Sequence, residues 1–277
     1  MRTIFKRLGR FRTADGDVLY GEFEEGQGLD STVPIYKGEM PWDLEFTDRT
    51  AVVTEILSPL PKVPIIYGIG LNYRQHIEEA KFPVPGYPTV FTKPPDSLAG
   101  PFDDIEVDRD CKNMDYEGEL CVVIGKDCKG FQVGDDIQQY ILAYTVGNDV
   151  SSRFWQMPER SGQQHGYAKS FDKFCPIGPV LVSTELINDP ATLQLTTTVN
   201  GEQRQSTSTS DLLFDIPAII QHLSRGTTLR KGTVIMTGTP SGVAAFMKPP
   251  KWLADGDVIE VEISKIGKIR NTMNIQS

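Results

Sequence analysis

The sequence predicts a strand-rich α+β fold. Short apolar segments bounded by turn residues outnumber segments with helical periodicity. They do not alternate regularly with helices, which argues against a doubly wound parallel sheet. Asn200-Gly201, set between the segments 193–199 and 203–206, is the strongest hairpin signal, because Asn-Gly suits a type I′ turn.

Size and composition bound the answer. The chain has 277 residues, enough for one large domain with a small appendage. With 39% hydrophobic and 23% charged residues it can build a core without disulfides. No stretch approaches the roughly 18 apolar residues of a membrane span. A net charge of −9 argues against non-specific nucleic-acid binding. It leaves an anionic substrate open, because a bound divalent cation reverses the local field. Cys111, Cys121, Cys128 and Cys175 form no CxxC pair, so no zinc ribbon is expected. They read as reduced thiols of a cytoplasmic protein, with the mitochondrion not excluded. His76, His165 and His222 are too scattered for a local His-rich metal site, so a metal would take oxygen ligands.

The elements follow in order. Arg2, Lys6, Arg7, Arg10 and Arg12 precede the first acid, a composition shared with transit peptides. Asp15-Gly16 is a turn signal, however, and Val18-Leu19-Tyr20 follows, so a β-hairpin explains the segment better. Residues 1–58 are expected to form a small N-terminal β domain. Pro59, Pro61 and Pro64 lead into a main domain, residues 59–277. Residues 65–70 read as a buried strand. Residues 72–80 have helical composition with Asn72 as cap, and two prolines in 82–86 end that helix. Strands are expected at 117–125, 140–147, 180–183, 234–236 and 257–263. Residues 215–226 form a helix with Ile216, Ile219, Ile220 and Leu223 on one face.

Five segments could carry chemistry. Glu117-Gly118-Glu119 puts two carboxylates on one side of a strand beside an apolar run. Two like charges there call for a cation, and hard oxygen ligands select Mg²⁺, Mn²⁺ or Ca²⁺; read alone, the pattern also suits a solvated strand face. Asp149, after the apolar strand 140–147, is either a further ligand or a helix cap. His76 and Glu79, three apart on a helix, are a general-base pair or an ordinary surface pair. Lys169, between aromatic residues, could stabilise an oxyanion or enolate, or could snorkel to solvent. The segment Thr237-Gly238-Thr239-Pro240-Ser241-Gly242 is a glycine-rich turn whose amides and hydroxyls could hold a carboxylate.

The order of these segments is more specific than any one of them. Gly70-Leu71-Asn72-Tyr73 with His76 and Glu79, then Phe91-Thr92-Lys93-Pro94, Asp115-Tyr116-Glu117-Gly118-Glu119-Leu120, Asn148-Asp149-Val150-Ser151-Ser152-Arg153, Lys169-Ser170-Phe171 and Thr237 to Val243 together resemble the fumarylacetoacetate hydrolase family. The C-terminal region, from Lys248-Pro249-Pro250 to Asp257, is most similar to that family's domain-containing protein 2 branch, which is associated with oxaloacetate keto–enol tautomerisation. The resemblance implies a mixed β-sandwich roll, a homodimer, and Mg²⁺ or Mn²⁺ held by Glu117, Glu119 and Asp149. It further implies a catalytic group of His76, Glu79, Lys169 and Gln156, and substrate contacts from Arg153 and Thr239. Leu71 stands where acylpyruvate-cleaving members often carry arginine. The expected partner is a small carboxylic acid, with no nucleic acid and no membrane. The expected activity is on 2-oxo or 1,3-dicarbonyl acids through a metal-stabilised enolate, with C–C hydrolysis of an acylpyruvate or β-diketo acid first. Oxaloacetate tautomerisation or decarboxylation is the alternative, and a non-catalytic metal-binding paralogue the minor one.

Overall fold

The computed structural model describes residues 3–276. The N-terminal strands are β1 (Arg7–Arg12), β2 (Val18–Glu22), β3 (Thr32–Lys37), β4 (Glu45–Val52) and β5 (Glu55–Leu57). β6 (Ile66–Gly70), helix α1 (Arg74–Ala80) and β7 (Thr89–Lys93) follow, then the short strands β8 (Leu98–Ala99), β9 (Ile105–Val107) and β10 (Met114–Asp115). The centre holds β11 (Gly118–Ile124), β12 (Ile141–Asn148), β13 (Ser151–Ser152), the single turns α2 (Arg153–Gln156) and α3 (Pro158–Ser161), and β14 (Cys175–Ser183). The last third contains β15 (Gln194–Val199), β16 (Glu202–Ser208), helix α4 (Ile216–Ser224), β17 (Val234–Met236), β18 (Val258–Ile263) and β19 (Gly267–Ile275).

Three sheets result. The largest has 12 strands, with the path β4-β3-β2-β1-β14-β12-β11-β17-β6-β7 and with β5 and β8 attached to β1 and β14. The N-terminal strands therefore continue the central sheet through the antiparallel β1–β14 pair. A 5-stranded sheet runs β16-β15-β18-β19-β9, and β10 pairs with β13. Both large sheets are mixed: β17–β6 and β19–β9 are parallel, while their other ladders along the path are antiparallel.

β11 shows why the sequence builds layers. Every one of its residues is buried. Side chains alternate across a strand, so Leu120, Val122 and Ile124 join the larger core while Cys121 and Val123 join a second core. Gly118 lies where a Cβ would press on Thr197 and Val261 of the smaller sheet. Only glycine lets the two sheets approach that closely.

Most local signals match the structure. Asn200 and Gly201 both have positive φ in the β15–β16 turn, and Asp15-Gly16 joins β1 to β2. Asp215 caps α4 by accepting from the Ala218 amide at 2.9 Å, and the four apolar residues expected on its inner face are buried. Two readings change. Asn72 is not the cap of α1; that position is Tyr73, without a side-chain cap bond. The Asn72 amide is buried instead, donating to Thr237 O (2.7 Å) and Phe214 O (3.1 Å) and accepting from Phe214 N (2.8 Å). The short strand expected at 180–183 is the last part of the nine-residue β14, which carries Pro176 and Pro179.

Candidate active site

The antiparallel register of β11 and β12 builds the centre of the site. It sets Gly118 opposite Asn148, so the residue before β11 and the residue after β12 meet. The Asp149 amide donates to Glu117 O at 2.9 Å, and Glu117 N donates to Asn148 Oδ1 at 2.9 Å. Glu119 lies one register position inward. Carboxylate oxygens of Glu117, Glu119 and Asp149 all fall within 4.8 Å of one another, and all three residues are buried. Asp149 is therefore not a helix cap.

Buried carboxylates this close need positive charge. Lys169 Nζ bonds Glu117 Oε2 at 2.9 Å, Ser151 Oγ at 2.8 Å, and Asp149 Oδ2. Lys93 Nζ reaches Asp149 Oδ1 at 2.5 Å. Arg153 pairs with Asp115 at 2.8 Å and with Glu117 at 2.5 Å. Burial pushes the Glu117 carboxyl up, but Lys169 and Arg153 outweigh it and bring it down to about 2. Glu119 has no ion pair among the described residues; its Oε2 accepts from the Gly238 amide at 2.6 Å. Burial, then Asp149 and Glu117, hold its carboxyl well above the usual range.

This imbalance bears on the metal. The donor set is all oxygen, it is anionic, and it leaves one buried carboxylate without a counter-cation, so the residues fit a hard divalent ion. His and Cys add nothing to the set, which disfavours zinc.

The turn after β17 wraps the cluster. Thr237 N and Oγ1 both donate to Leu120 O. Gly238, at φ 110°, aims its amide at Glu119. The amide of Gly242 donates to both oxygens of Glu79 at 3.2 Å. The segment expected to hold a substrate carboxylate thus holds two carboxylates of the chain itself. His76 Nδ1 lies 3.3 Å from Glu79 Oε2, and its buried ring stands edge-on to Phe246. Phe246 borders a cavity of about 430 Å³, shared with Leu71, Phe91, Glu117, Arg153, Gln156, His165, Lys169 and Thr239.

All nine expected site residues lie in or around this centre. Glu119 and Asp149 complete the triad without lining the cavity, and His76, paired with Glu79, meets the cavity wall through its ring contact with Phe246. Gln156 Oε1 accepts from Arg153 at 2.7 Å. Thr239 Oγ1 donates to Gly118 O at 3.1 Å and accepts from Gln205 at 2.9 Å.

Sequence reasoning assigned no role to Lys93, Asp115 or His165. Lys93 had a signal: period-2 alternation along β7 puts it on the face of Phe91, and both are buried. A buried lysine implies a carboxylate partner. Asp115 holds four groups, the amides of Tyr116, Ala244 and Ala245 and Arg153 Nε. Nothing local announces that role.

Comparison with known proteins places this geometry. The family described as "Fumarylacetoacetate (FAA) hydrolase C-terminal" matches residues 65–274. The chain is 41% identical over 216 residues to the mitochondrial oxaloacetate tautomerase of Xenopus laevis, covering 78% of this chain and 67% of that protein. It is 41% identical over 228 residues to the fumarylacetoacetate hydrolase domain-containing protein 2 homolog of Dictyostelium discoideum, covering 79% and 74%. Its fold superimposes with a TM-score of 0.83 on the 2-hydroxyhepta-2,4-diene-1,7-dioate isomerase of Mycobacterium marinum, at 33% identity over 98% of this chain and 99% of that one. The β11–β12 carboxylate centre, on the face of β11 turned away from the smaller sheet, belongs to a member of the fumarylacetoacetate hydrolase family.

Proposed function

We propose that this chain is a divalent-metal-dependent oxaloacetate tautomerase, interconverting the keto and enol forms of a 2-oxo dicarboxylic acid. The observation that carries the reading is the buried triad of Glu117, Glu119 and Asp149, together with relatives that bear the name oxaloacetate tautomerase. C–C hydrolysis, the first expectation from sequence, becomes the second reading.

Bound at the triad, Mg²⁺ or Mn²⁺ would supply Lewis-acid stabilisation of the charge that builds on the 2-oxygen. The chain's own groups do the rest. Lys169 and Arg153 hold Glu117 ionised and fixed. His76, oriented by Glu79, holds and returns the proton exchanged at C3. Gly242 fixes Glu79 in turn, so the proton carrier is positioned by backbone. Phe82, Phe91 and Phe246 restrict water at the cavity wall. Tautomerisation needs only this shuttle, whereas hydrolysis needs a water attacking a distal carbonyl. The His76–Glu79 pair could serve that step too, and this supports the second reading.

The test is an oxaloacetate assay with Mg²⁺ that follows enol absorbance and pyruvate together, beside an acylpyruvate panel. Fast enol–keto interconversion without pyruvate or cleavage is expected. Catalysed pyruvate release would replace the reading with a decarboxylase, and acylpyruvate cleavage with a hydrolase.

We also propose the homodimer, checked by light scattering of the full chain. For compartment, the four buried free cysteines suit the cytoplasm and the mitochondrial matrix alike. The relatives' names favour the second, and imaging of the tagged chain decides.

A further inference from the structure

A hydrogen-bond inventory of the cavity wall leaves few groups for a ligand. Lys169 directs Nζ at three oxygens of the chain itself, on Glu117, Asp149 and Ser151, and an ammonium has three N–H groups. The Thr239 hydroxyl donates its single hydrogen to Gly118 O. Arg153 turns one N–H of each nitrogen towards Asp115, Gln156 and Glu117, which leaves the second N–H of Nη1 and of Nη2 open. Of the substrate contacts that the sequence suggested, Thr239 is thus committed to holding the site together and Arg153 is committed in part.

His165 differs. It borders the same cavity, yet its imidazole makes no hydrogen bond or ion pair among the described residues. Its ring contact is Phe91, with centroids 6.4 Å apart, and Phe91 carries Lys169 Nζ 4.8 Å from its own centroid. Burial, then Lys169, lower its pKa from the usual 6.5. The neutral ring offers one N–H and one lone pair, neither taken by the chain. The Gln156 amide nitrogen is a further open donor, its oxygen being fixed by Arg153.

We infer that His165, assisted by the Gln156 amide, reads the second carboxylate of the substrate and selects 2-oxo dicarboxylic acids over 2-oxo monocarboxylic acids of equal length. The inference rests on the tautomerase reading and names the group that sets its substrate class. A divalent cation held by Glu117, Glu119 and Asp149 would draw in the 2-oxo end, and the far end of a short acid would then meet the remaining wall. A carboxylate entering an aromatic-lined cavity must find donors there, and His165 and Gln156 each offer an open one.

The experiment measures dissociation constants of oxaloacetate and 2-oxobutyrate, which carries a methyl group in place of the second carboxylate. It uses the full chain saturated with Mg²⁺. The wild-type protein is expected to prefer oxaloacetate by roughly tenfold to a hundredfold, the worth of a charge-assisted hydrogen bond. His165→Leu should bring the ratio close to one by weakening oxaloacetate, with 2-oxobutyrate within about twofold of its wild-type value. His165→Gln keeps an N–H donor and should retain part of the preference, which separates lost recognition from a damaged fold. A preference that survives His165→Leu overturns the inference, as does equal weakening of both acids. In those outcomes wild-type enol turnover still stands, so the tautomerase reading survives. If the wild-type chain binds neither acid and turns over no enol, both fall together.

Discussion

Glu119 is the carboxylate whose nearest hydrogen-bond partner is a backbone amide rather than a cation. Glu119→Gln keeps an oxygen for Gly238 and removes a carboxyl whose ionisation burial, Asp149 and Glu117 oppose. Without metal this variant is expected to melt a few degrees higher than wild type, since relief of that opposition is worth about 1 kcal/mol or more. It should also lose the rise in melting temperature that Mg²⁺ gives the wild-type chain. Paired thermal melts with and without Mg²⁺ check both halves. His76→Ala should behave in the opposite way. His76 is outside the triad, so the Mg²⁺-induced stabilisation should persist while turnover falls roughly 10²–10⁴-fold, as for loss of a general base. Near wild-type turnover in that variant would move the proton-carrying role to another group.

At the scale of elements, α1 is a seven-residue helix with no side-chain cap, too short to hold its place by helix propensity. Asn72 ties its base to Phe214 and Thr237. Asn72→Ala leaves those buried backbone groups without partners and is expected to cost about 3 kcal/mol in urea unfolding. Asp215→Ala, the loss of one cap bond on α4, should cost only about 1 kcal/mol. The two residues also mark what was legible beforehand. α4, the Asn200-Gly201 hairpin and β11 could be read because their signals are local: a cap, a turn pair, an apolar run. β19 was missed because buried Asn271 interrupts its inward face; its amide donates to Asp103 O at 2.8 Å instead of packing as an apolar group would. β14 runs longer than expected because its prolines sit where they break no regular ladder: Pro179 falls in the register shift against β12, and Pro176 pairs with Ala99 of β8. In the site, the triad was legible from strand period and motif order. Asn72, Asp115 and His165 were not, since their partners or surroundings lie far away in sequence.

At the scale of the molecule, the two large sheets touch on the face of β11 opposite to the one that carries Glu117 and Glu119. Gly118 is the point of contact, between Glu117 and Glu119, and a methyl group there would press on Val261 Cγ1 at 3.0 Å and Gln205 Oε1 at 3.2 Å. Gly118→Ala is expected to cost about 1–3 kcal/mol by overpacking. Because its neighbours are two of the three carboxylates, Mg²⁺ affinity should fall with stability, and calorimetry beside denaturant melts would show whether the two losses track.

β11 has one more consequence. It is covered on both faces, paired on both edges by β12 and β17, and continuous with Glu117 and Glu119. No small opening frees its amides, so their deuterium uptake should proceed by complete unfolding and report the global free energy. The carboxylate triad then has no partly melted form. The cell would encounter this chain either with an intact centre or with none, and a destabilised variant should lose active molecules in number while each survivor works at the full rate.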